Sequence, residues 1–148
     1  MPRSLLARRT RAPLVAAIAV LLLGVACSRD AAPAAVPEAD DRLARAYIRT
    51  LHDSGAVAVM GRTKREAAAV PAFAFGIEAM RALLPRGPID TVHLERFETV
   101  RDSAHAAGAS KLTYGVRGGD ESAEVEVWVE REGGRPVVDQ LRVSRRPR

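Results

Sequence analysis

The sequence predicts an α+β domain in which helices come first and a four-stranded antiparallel sheet follows. Between residues 38 and 85, apolar side chains recur every three or four positions, which is the period of an amphipathic helix. After the helix-stopping run Pro85-Arg86-Gly87-Pro88, apolar and polar residues alternate, which is the period of β-strands. We therefore expect N-terminal helices packed on one face of a curved four-stranded antiparallel meander.

The first 26 residues differ in character from the rest of the chain. Arg3, Arg8, Arg9 and Arg11 form a basic stretch without acids, and residues 12–26 are uncharged and nearly all apolar. A membrane-spanning helix needs about 20 apolar residues, so the length of this run is typical of a signal-peptide core. Four of the 23 basic residues would leave with this segment, and the remaining 19 nearly balance 18 acidic residues.

The apolar run ends in Leu23-Gly24-Val25-Ala26-Cys27, which contains the only cysteine of the chain. Small residues before the cysteine and Ser28 after it resemble the lipobox of bacterial lipoproteins, although Gly24 stands where that family usually has Leu. The resemblance implies cleavage after Ala26, a lipid on Cys27, and anchoring in the cell envelope. In a diderm cell, Ser28 implies the outer membrane, facing the periplasm. A plain secretory signal, which would leave an unpaired thiol, and an uncleaved anchor are the alternatives.

Residues 28–37 are rich in Ala and Pro and have no periodicity, which predicts a flexible tether. We divide the chain into a lipoprotein signal peptide (1–26), an acylated cysteine with its tether (27–38), a folded domain (39–145) and a basic tail (146–148). After removal of the signal peptide, the near balance of charge gives no indication of nucleic-acid binding. Aromatic residues are 4% of the chain, too few to suggest base stacking.

Two amphipathic helices are predicted in the first half of the domain. The first begins at the acidic residues 38–41 and ends at Gly55, a glycine suited to the left-handed position after a helix. Helix is expected again from Thr63 to Ala69, and Pro71 either interrupts it or lies in the first turn of the second amphipathic helix. The apolar faces are Leu43, Tyr47, Ile48 and Leu51 in the first helix, and Phe73, Ile77, Met80 and Leu84 in the second.

Four strands are predicted after Pro88. In the first strand the alternation slips, which suggests a β-bulge around Glu95 or Arg96. The strands are expected at residues 91–101, 111–117, 123–130 and 136–144.

Matching the apolar faces fixes the register of the first predicted hairpin, since a slip of one residue would turn a strand over. A short loop at residues 118–121 places Tyr114 opposite Val125. The same register places Lys111 opposite Trp128, where a cation–π contact can form.

The second predicted hairpin has a three-residue loop, Gly133-Gly134-Arg135. This loop pairs Val127 with Leu141, whereas a two-residue turn alone would pair Val127 with the polar Gln140. The apolar match therefore favours the longer loop.

Three stretches carry a family resemblance: the helix break His52-Asp53-Ser54-Gly55, the helix end Leu83-Leu84-Pro85, and the alternating run from Lys111 to Val143. Their order resembles the nuclear-transport-factor-2-like (cystatin-like) cone, over residues 39–144, and in particular small bacterial domains of unknown function with that shape. Because this superfamily includes isomerases, dehydratases, scaffolds and secretion-system components, the resemblance implies a fold rather than an activity.

Asp139 and Tyr114 are the candidate catalytic residues. In the predicted register, Asp139 lies on the apolar face with Val137, Leu141 and Val143, where a lone carboxylate would be costly to bury. In the cone fold this face lines a pocket in which isomerases use an acid with a tyrosine partner, so the resemblance implies a pocket acid. We favour the simpler interpretation, in which Asp139 lies near the open end of the sheet and pairs with an arginine or a backbone group.

Trp128, the only tryptophan, is the candidate partner-binding residue. An aromatic side chain on a polar sheet face can anchor a protein partner. We favour the competing interpretation, a cross-strand shelf against which Lys111 packs.

No metal or nucleophile motif is recognised. His52, His93 and His105 are too far apart for the usual ligand spacing, and both Gly-Gly pairs belong to hairpin turns rather than to a phosphate loop. We expect no metal and no cofactor other than the covalent lipid on Cys27. The sequence thus favours an envelope lipoprotein that binds another protein without catalysis. The alternative is a pocket for a small apolar ligand, of the isomerase or dehydratase type.

Overall fold

The computed structural model describes residues 35–105 and 108–147, in which helices precede an open sheet. The predicted signal peptide, Cys27 and the tether up to residue 34 lie outside the described residues. The predicted α+β class is confirmed. The elements are α1 (Glu38–Ser54), α2 (Ala56–Val59), a 3₁₀ turn (Met60–Arg62), α3 (Arg65–Ala68), α4 (Pro71–Arg81), β1 (Thr91–Val100), β2 (Ala109–Gly118), β3 (Glu121–Glu132) and β4 (Arg135–Arg145).

Helix α1 begins and ends where the sequence predicts. Its first turn holds Glu38, Asp40 and Asp41, whose negative charges suit the positive end of the helix dipole. It ends at Gly55, which has a φ of 83° and donates its N–H to the carbonyl of Leu51. A positive φ carries little steric penalty only for glycine, so Gly55 allows the chain to leave α1 sharply.

The sheet is a meander with strand order β1-β2-β3-β4, and every neighbouring pair is antiparallel. In the β1–β2 pair the register shifts between Leu94 and Arg96, so Glu95 is the extra residue of a β-bulge, as predicted. The β2–β3 pair has the predicted register as well: Tyr114 lies opposite Val125.

The β3–β4 turn differs from the prediction. Glu132 pairs with Arg135, so the turn has two residues, Gly133 and Gly134, rather than three. Their φ values are 58° and 81°, and positive φ at both central residues is the requirement of a type I′ turn. The predicted three-residue loop was therefore wrong.

The pairing of Val127 with Leu141 is nevertheless confirmed, because the extra residue lies inside β4. Trp128 pairs with Gln140 and Val129 pairs with Val138, so Asp139 is left without a partner in the ladder as a β-bulge. The extra residue therefore lies in the strand, at Asp139, and not in the turn. We refer to this irregularity as the β4 bulge.

Buried apolar side chains from helices and strands form one core cluster. It contains Tyr47 and Leu51 of α1, Ile77 of α4, Leu112 of β2 and Val125 of β3. Removal of such side chains from water supplies the main stabilisation of a domain of this size.

The chain after the 3₁₀ turn meets the outer edge of β4. Thr63 forms a parallel bridge with Val138, and the Lys64 N–H donates to the Val138 carbonyl at 2.7 Å. This contact fixes the position of the Lys64 side chain next to the β4 bulge. Among the described residues, no helix is long and apolar enough to cross a membrane.

Candidate functional site at the β4 bulge

The carboxylate of Asp139 lies between two basic side chains. Its Oδ1 is 3.2 Å from Lys64 Nζ, and its Oδ2 is 3.3 Å from His105 Nε2. The core position that was predicted for Asp139 belongs to Val138, which is fully buried. The predicted orientation of Asp139 was wrong because the bulge places Val138 on the core face. The predicted arginine or backbone partner is replaced by a lysine and a histidine.

Glu130 of β3 completes the group. Its Oε2 lies 2.9 Å from Lys64 Nζ and its Oε1 lies 3.8 Å from His105 Nε2. Each carboxylate therefore presents one oxygen to the lysine and the other to the imidazole. We refer to Lys64, His105, Glu130 and Asp139 as the ionic cluster. The hydrogen bond to Glu130 is the largest cause that raises the pKa of the Lys64 ammonium. Burial acts to lower this pKa, but the hydrogen bonds to Glu130 and Asp139 together outweigh it.

The imidazole of His105 is held from behind by Asp102. Only 4% of His105 is exposed, and its Nδ1 lies 2.9 Å from Asp102 Oδ1. The same oxygen accepts the N–H groups of His105 at 2.8 Å and of Ala104 at 2.9 Å. These hydrogen bonds, with the His105 N–H first, lower the pKa of Asp102. An ionised carboxylate only accepts hydrogen bonds, so Nδ1 donates to Asp102, and Nε2 is the ring nitrogen that faces the cluster.

Three members of the ionic cluster are metal-ligand types. One ligand atom each from His105, Glu130 and Asp139 lie within 4.8 Å of one another. A short spacing between ligands is the usual sequence signal of a metal site, whereas these three residues come from the β1–β2 connection, β3 and β4. No local motif marks the group, apart from the Asp102–His105 spacing that suits a hydrogen-bonded turn.

Tyr114 lies in a different network, at the start of α1. Its buried hydroxyl donates to Asp41 Oδ1 at 2.8 Å. The guanidinium of Arg45 lies 5.3 Å from the Tyr114 ring centroid, and Arg45 Nε is 2.9 Å from both oxygens of Asp41. Tyr114 and Asp139, the two candidate catalytic residues, therefore have separate hydrogen-bond partners.

The pKa values of Asp41 and Tyr114 are shifted in opposite directions. Burial, and then the hydrogen bond to Asp41, raise the pKa of Tyr114 well above its usual value. Burial also acts to raise the pKa of Asp41, but the hydrogen bonds from Arg45 and Tyr114 outweigh it and lower that pKa below 3.8. Asp41 therefore contributes stability above about pH 3.8, and this stability is lost as the pH falls through its lowered pKa.

The Tyr114→Phe variant is expected to be less stable than the wild type at pH 7 by about 1.5–3 kcal/mol, the range for a hydrogen bond to a charged group. The deficit should be smaller at pH 3, because the hydrogen bond from Tyr114 helps to lower the pKa of Asp41, so in the variant Asp41 takes up a proton at a higher pH than in the wild type. Urea unfolding at the two pH values measures this difference.

Tyr47→Phe is the matched control for this prediction. The Tyr47 hydroxyl is buried, 3.1 Å from the neutral hydroxyl of Thr63. The stability lost in Tyr47→Phe should therefore be the same at pH 7 and pH 3. A Tyr114→Phe deficit that did not change with pH would contradict the assignment of Asp41 as its charged partner.

Trp128 lies on the sheet face opposite the core, half-buried. Lys111 Nζ is 5.0 Å from the centroid of its ring, so the predicted cation–π contact is present. Lys111 Nζ also lies 2.5 Å from Glu126 Oε1, and Arg142 Nη1 lies 3.9 Å from Glu126 Oε2. We define the Trp128 surface as Lys111, Glu126, Trp128, Gln140 and Arg142.

A cleft of about 700 Å³ lies beside the β1 bulge. Glu95 and Arg146 line it, and their side chains are joined by a hydrogen bond of 2.6 Å. Arg146 also lies 2.8 Å from Glu124 Oε2, and its N–H donates to the Ser122 carbonyl at 3.0 Å. Arg146, which the sequence analysis placed in the basic tail, is thus in contact with the domain.

No protein-family model, curated protein or solved structure significantly matches this chain. The described residues define a class, an α+β domain with helices followed by an open antiparallel meander.

Proposed function

We propose that this chain is a lipid-anchored envelope protein whose folded domain binds another protein through the Trp128 surface, without catalysing a reaction. In this proposal Cys27 carries the lipid, and residues 28–37 connect it to α1. A tether of ten residues reaches at most about 35 Å when extended, so the domain would act close to its membrane. In a diderm cell that membrane is the outer membrane, and the domain faces the periplasm.

The proposed fold of the domain is the nuclear-transport-factor-2-like cone, with its helices on one face of a curved sheet. The single core cluster shared by α1, α4 and the strands supports this arrangement. Alternation along β3 supports it too, because Val125, Val127 and Val129 are buried whereas Glu126 and Trp128 are only partly buried. The Trp128 surface would then be the face left open to a partner.

The half-buried indole of Trp128 among charges of both signs is the observation that carries protein binding. Aromatic side chains supply much of the energy of protein interfaces, while charged groups around them select the partner. Lys111 already packs over the indole, and Glu126 pairs with Lys111 and with Arg142. A partner would therefore meet an ordered aromatic surface, and little side-chain entropy would be lost on binding.

The alternative function, a pocket for a small apolar ligand, has weaker support. It would use Tyr114 and Asp139 as a polar pair in one pocket. The Tyr114 hydroxyl is engaged by Asp41, and the Asp139 carboxylate is engaged by Lys64 and His105. The lining of the cleft near Glu95 includes the charged side chains of Glu95, Arg117 and Arg146, which suit a polar ligand better than an apolar one.

Trp128→Ala is expected to weaken partner binding about 30-fold or more, the effect of losing a hot-spot aromatic residue. The wild-type and variant chains would be extracted gently from their own membranes, and the amount of each co-isolated protein compared by mass spectrometry. The partner should be present with the wild type and depleted with Trp128→Ala.

Phe75→Ala is the control, because Phe75 of α4 is also aromatic and is 81% exposed. The same partner should remain with this variant at the wild-type level. Equal capture by Trp128→Ala and the wild type would exclude the Trp128 surface as the binding site.

A further inference from the structure

The ionic cluster has a property that protein binding does not explain. Its imidazole and its two carboxylates converge from three separate segments, and all three side chains are largely shielded from water. His105 is 4% exposed, while the side chains of Glu130 and Asp139 are each 13% exposed. We propose that His105 Nε2, Glu130 Oε1 and Asp139 Oδ2 bind one divalent transition-metal ion of the Zn²⁺ type.

The distances between these atoms suit a tetrahedral ion. Zinc–nitrogen and zinc–oxygen distances of about 2.0–2.2 Å place neighbouring ligand atoms about 3.3 Å apart. His105 Nε2 lies 3.3 Å from Asp139 Oδ2 and 3.8 Å from Glu130 Oε1. One ligand atom of each residue lies within 4.8 Å of the other two, so the Glu130 carboxylate would have to rotate to take the third corner, and the fourth corner would take water.

The orientation of the His105 ring also suits a metal ion at this position. Nδ1 lies 2.9 Å from Asp102 Oδ1, so Nε2 is the ring nitrogen that faces Asp139 Oδ2 and can bind an ion when it carries no proton. A positive charge between Nε2 and Oδ2, which are 3.3 Å apart, is stabilised there, and a proton on Nε2 competes with the metal ion for this place. The side-chain amide nitrogen of Gln140 is 3.5 Å from Nε2, beyond the usual range of about 2.7–3.2 Å. A carboxylate behind a metal-binding imidazole is the common arrangement in zinc sites.

Lys64 leaves room for the metal because it uses different oxygen atoms. Its ammonium contacts Glu130 Oε2 and Asp139 Oδ1, whereas the metal would use Oε1 and Oδ2. Lys64 offsets part of the carboxylate charge, so it moderates the affinity without blocking the site. The bound ion would join the β1–β2 connection to β3 and β4, and binding to the folded state alone would stabilise the domain.

The test is a Zn²⁺ titration of the full chain by calorimetry at pH 7.5, after treatment with a chelator. All proteins carry Cys27→Ser, so that no thiol competes for the metal. We expect one ion per chain, a higher melting temperature with Zn²⁺, and Co²⁺ absorption bands typical of four-coordination. His105→Gln and Glu130→Gln should each weaken binding at least tenfold. Asp102→Asn should weaken it about 10–100-fold, the range for residues that orient a ligand.

Two further variants decide between the proposal and its competitors. His93→Gln removes a histidine that lines the cleft, outside the ionic cluster, and should leave the affinity unchanged. Lys64→Met should bind Zn²⁺ more tightly than the parent chain. Absence of binding in the parent, an equal loss in His93→Gln and His105→Gln, or binding only after Lys64→Met would overturn the proposal. The last result would mean that Lys64 itself is the cation of the cluster.

Loss of folding is controlled separately. The metal-free circular dichroism and melting temperature of each variant would be compared with those of the parent. Glu130→Gln keeps the size and shape of the side chain, so it carries the test if His105→Gln does not fold.

Discussion

The Cys27→Ser chain is expected to retain residues 1–26 and to carry no lipid. The processing implied by the lipobox resemblance attaches lipid to the cysteine sulphur and cuts the chain before that residue, and serine has no sulphur. The wild-type protein from membranes should instead have the mass of residues 27–148 plus acyl groups. Mass spectrometry of the two intact chains measures the difference.

Ser28→Ala is the control for the Cys27 prediction, because it changes the neighbouring residue without touching the acceptor sulphur. Its chain should be cut and acylated like the wild type. If Cys27→Ser were cut and located like the wild type, the plain secretory-signal alternative would replace the lipoprotein hypothesis. An uncut wild-type chain would favour the uncleaved anchor.

Arg131→Ala is expected to lower the free energy of unfolding by about 3 kcal/mol, because it leaves a buried carboxylate without its charge partner. Asp40 of α1 is 2% exposed, and its Oδ1 lies 2.5 Å from Arg131 Nη1. Asp40 Oδ2 accepts a hydrogen bond of 2.6 Å from the Ser110 hydroxyl, but Oδ1 has no well-directed hydrogen bond. Arg131 is therefore the group that offsets the charge at Oδ1. Denaturant unfolding at pH 7 measures the loss.

A double-mutant cycle identifies the cause of that loss. In the Asp40→Asn background the buried charge is gone, so Arg131→Ala should cost less than about 1 kcal/mol. Arg142→Ala is the surface control: its ion pair with Glu126 is 3.9 Å long and its side chain is 76% exposed, so about 0–1 kcal/mol is expected. Equal losses in both Asp40 backgrounds would contradict the proposed pairing.

The hairpins show what the sequence could predict about the sheet. Alternation in β2 and β3 determined which residues face the core, so Tyr114 and Val125 were matched correctly. In β4 the adjacent valines Val137 and Val138 are both apolar, and alternation alone does not say which one is buried. The extra residue was therefore placed in the turn instead of at Asp139.

The ionic cluster could not be predicted from local patterns. It depends on the β4 bulge, on the bridge between Thr63 and Val138, and on the β1–β2 connection that carries His105. None of these three features is marked by a recognisable spacing of residues in the sequence. Asp41 was missed for a related reason, because an acid in the first turn of a helix already has a role at the helix dipole, whereas here it also accepts from Tyr114.

The proposed function is tested most directly by native mass spectrometry of the wild-type protein extracted gently from its own membranes. We expect a chain that begins at an acylated Cys27 and is held in a complex with one other protein at a fixed ratio. A chain without lipid that carries no protein partner, or one bound to a small molecule alone, would contradict it.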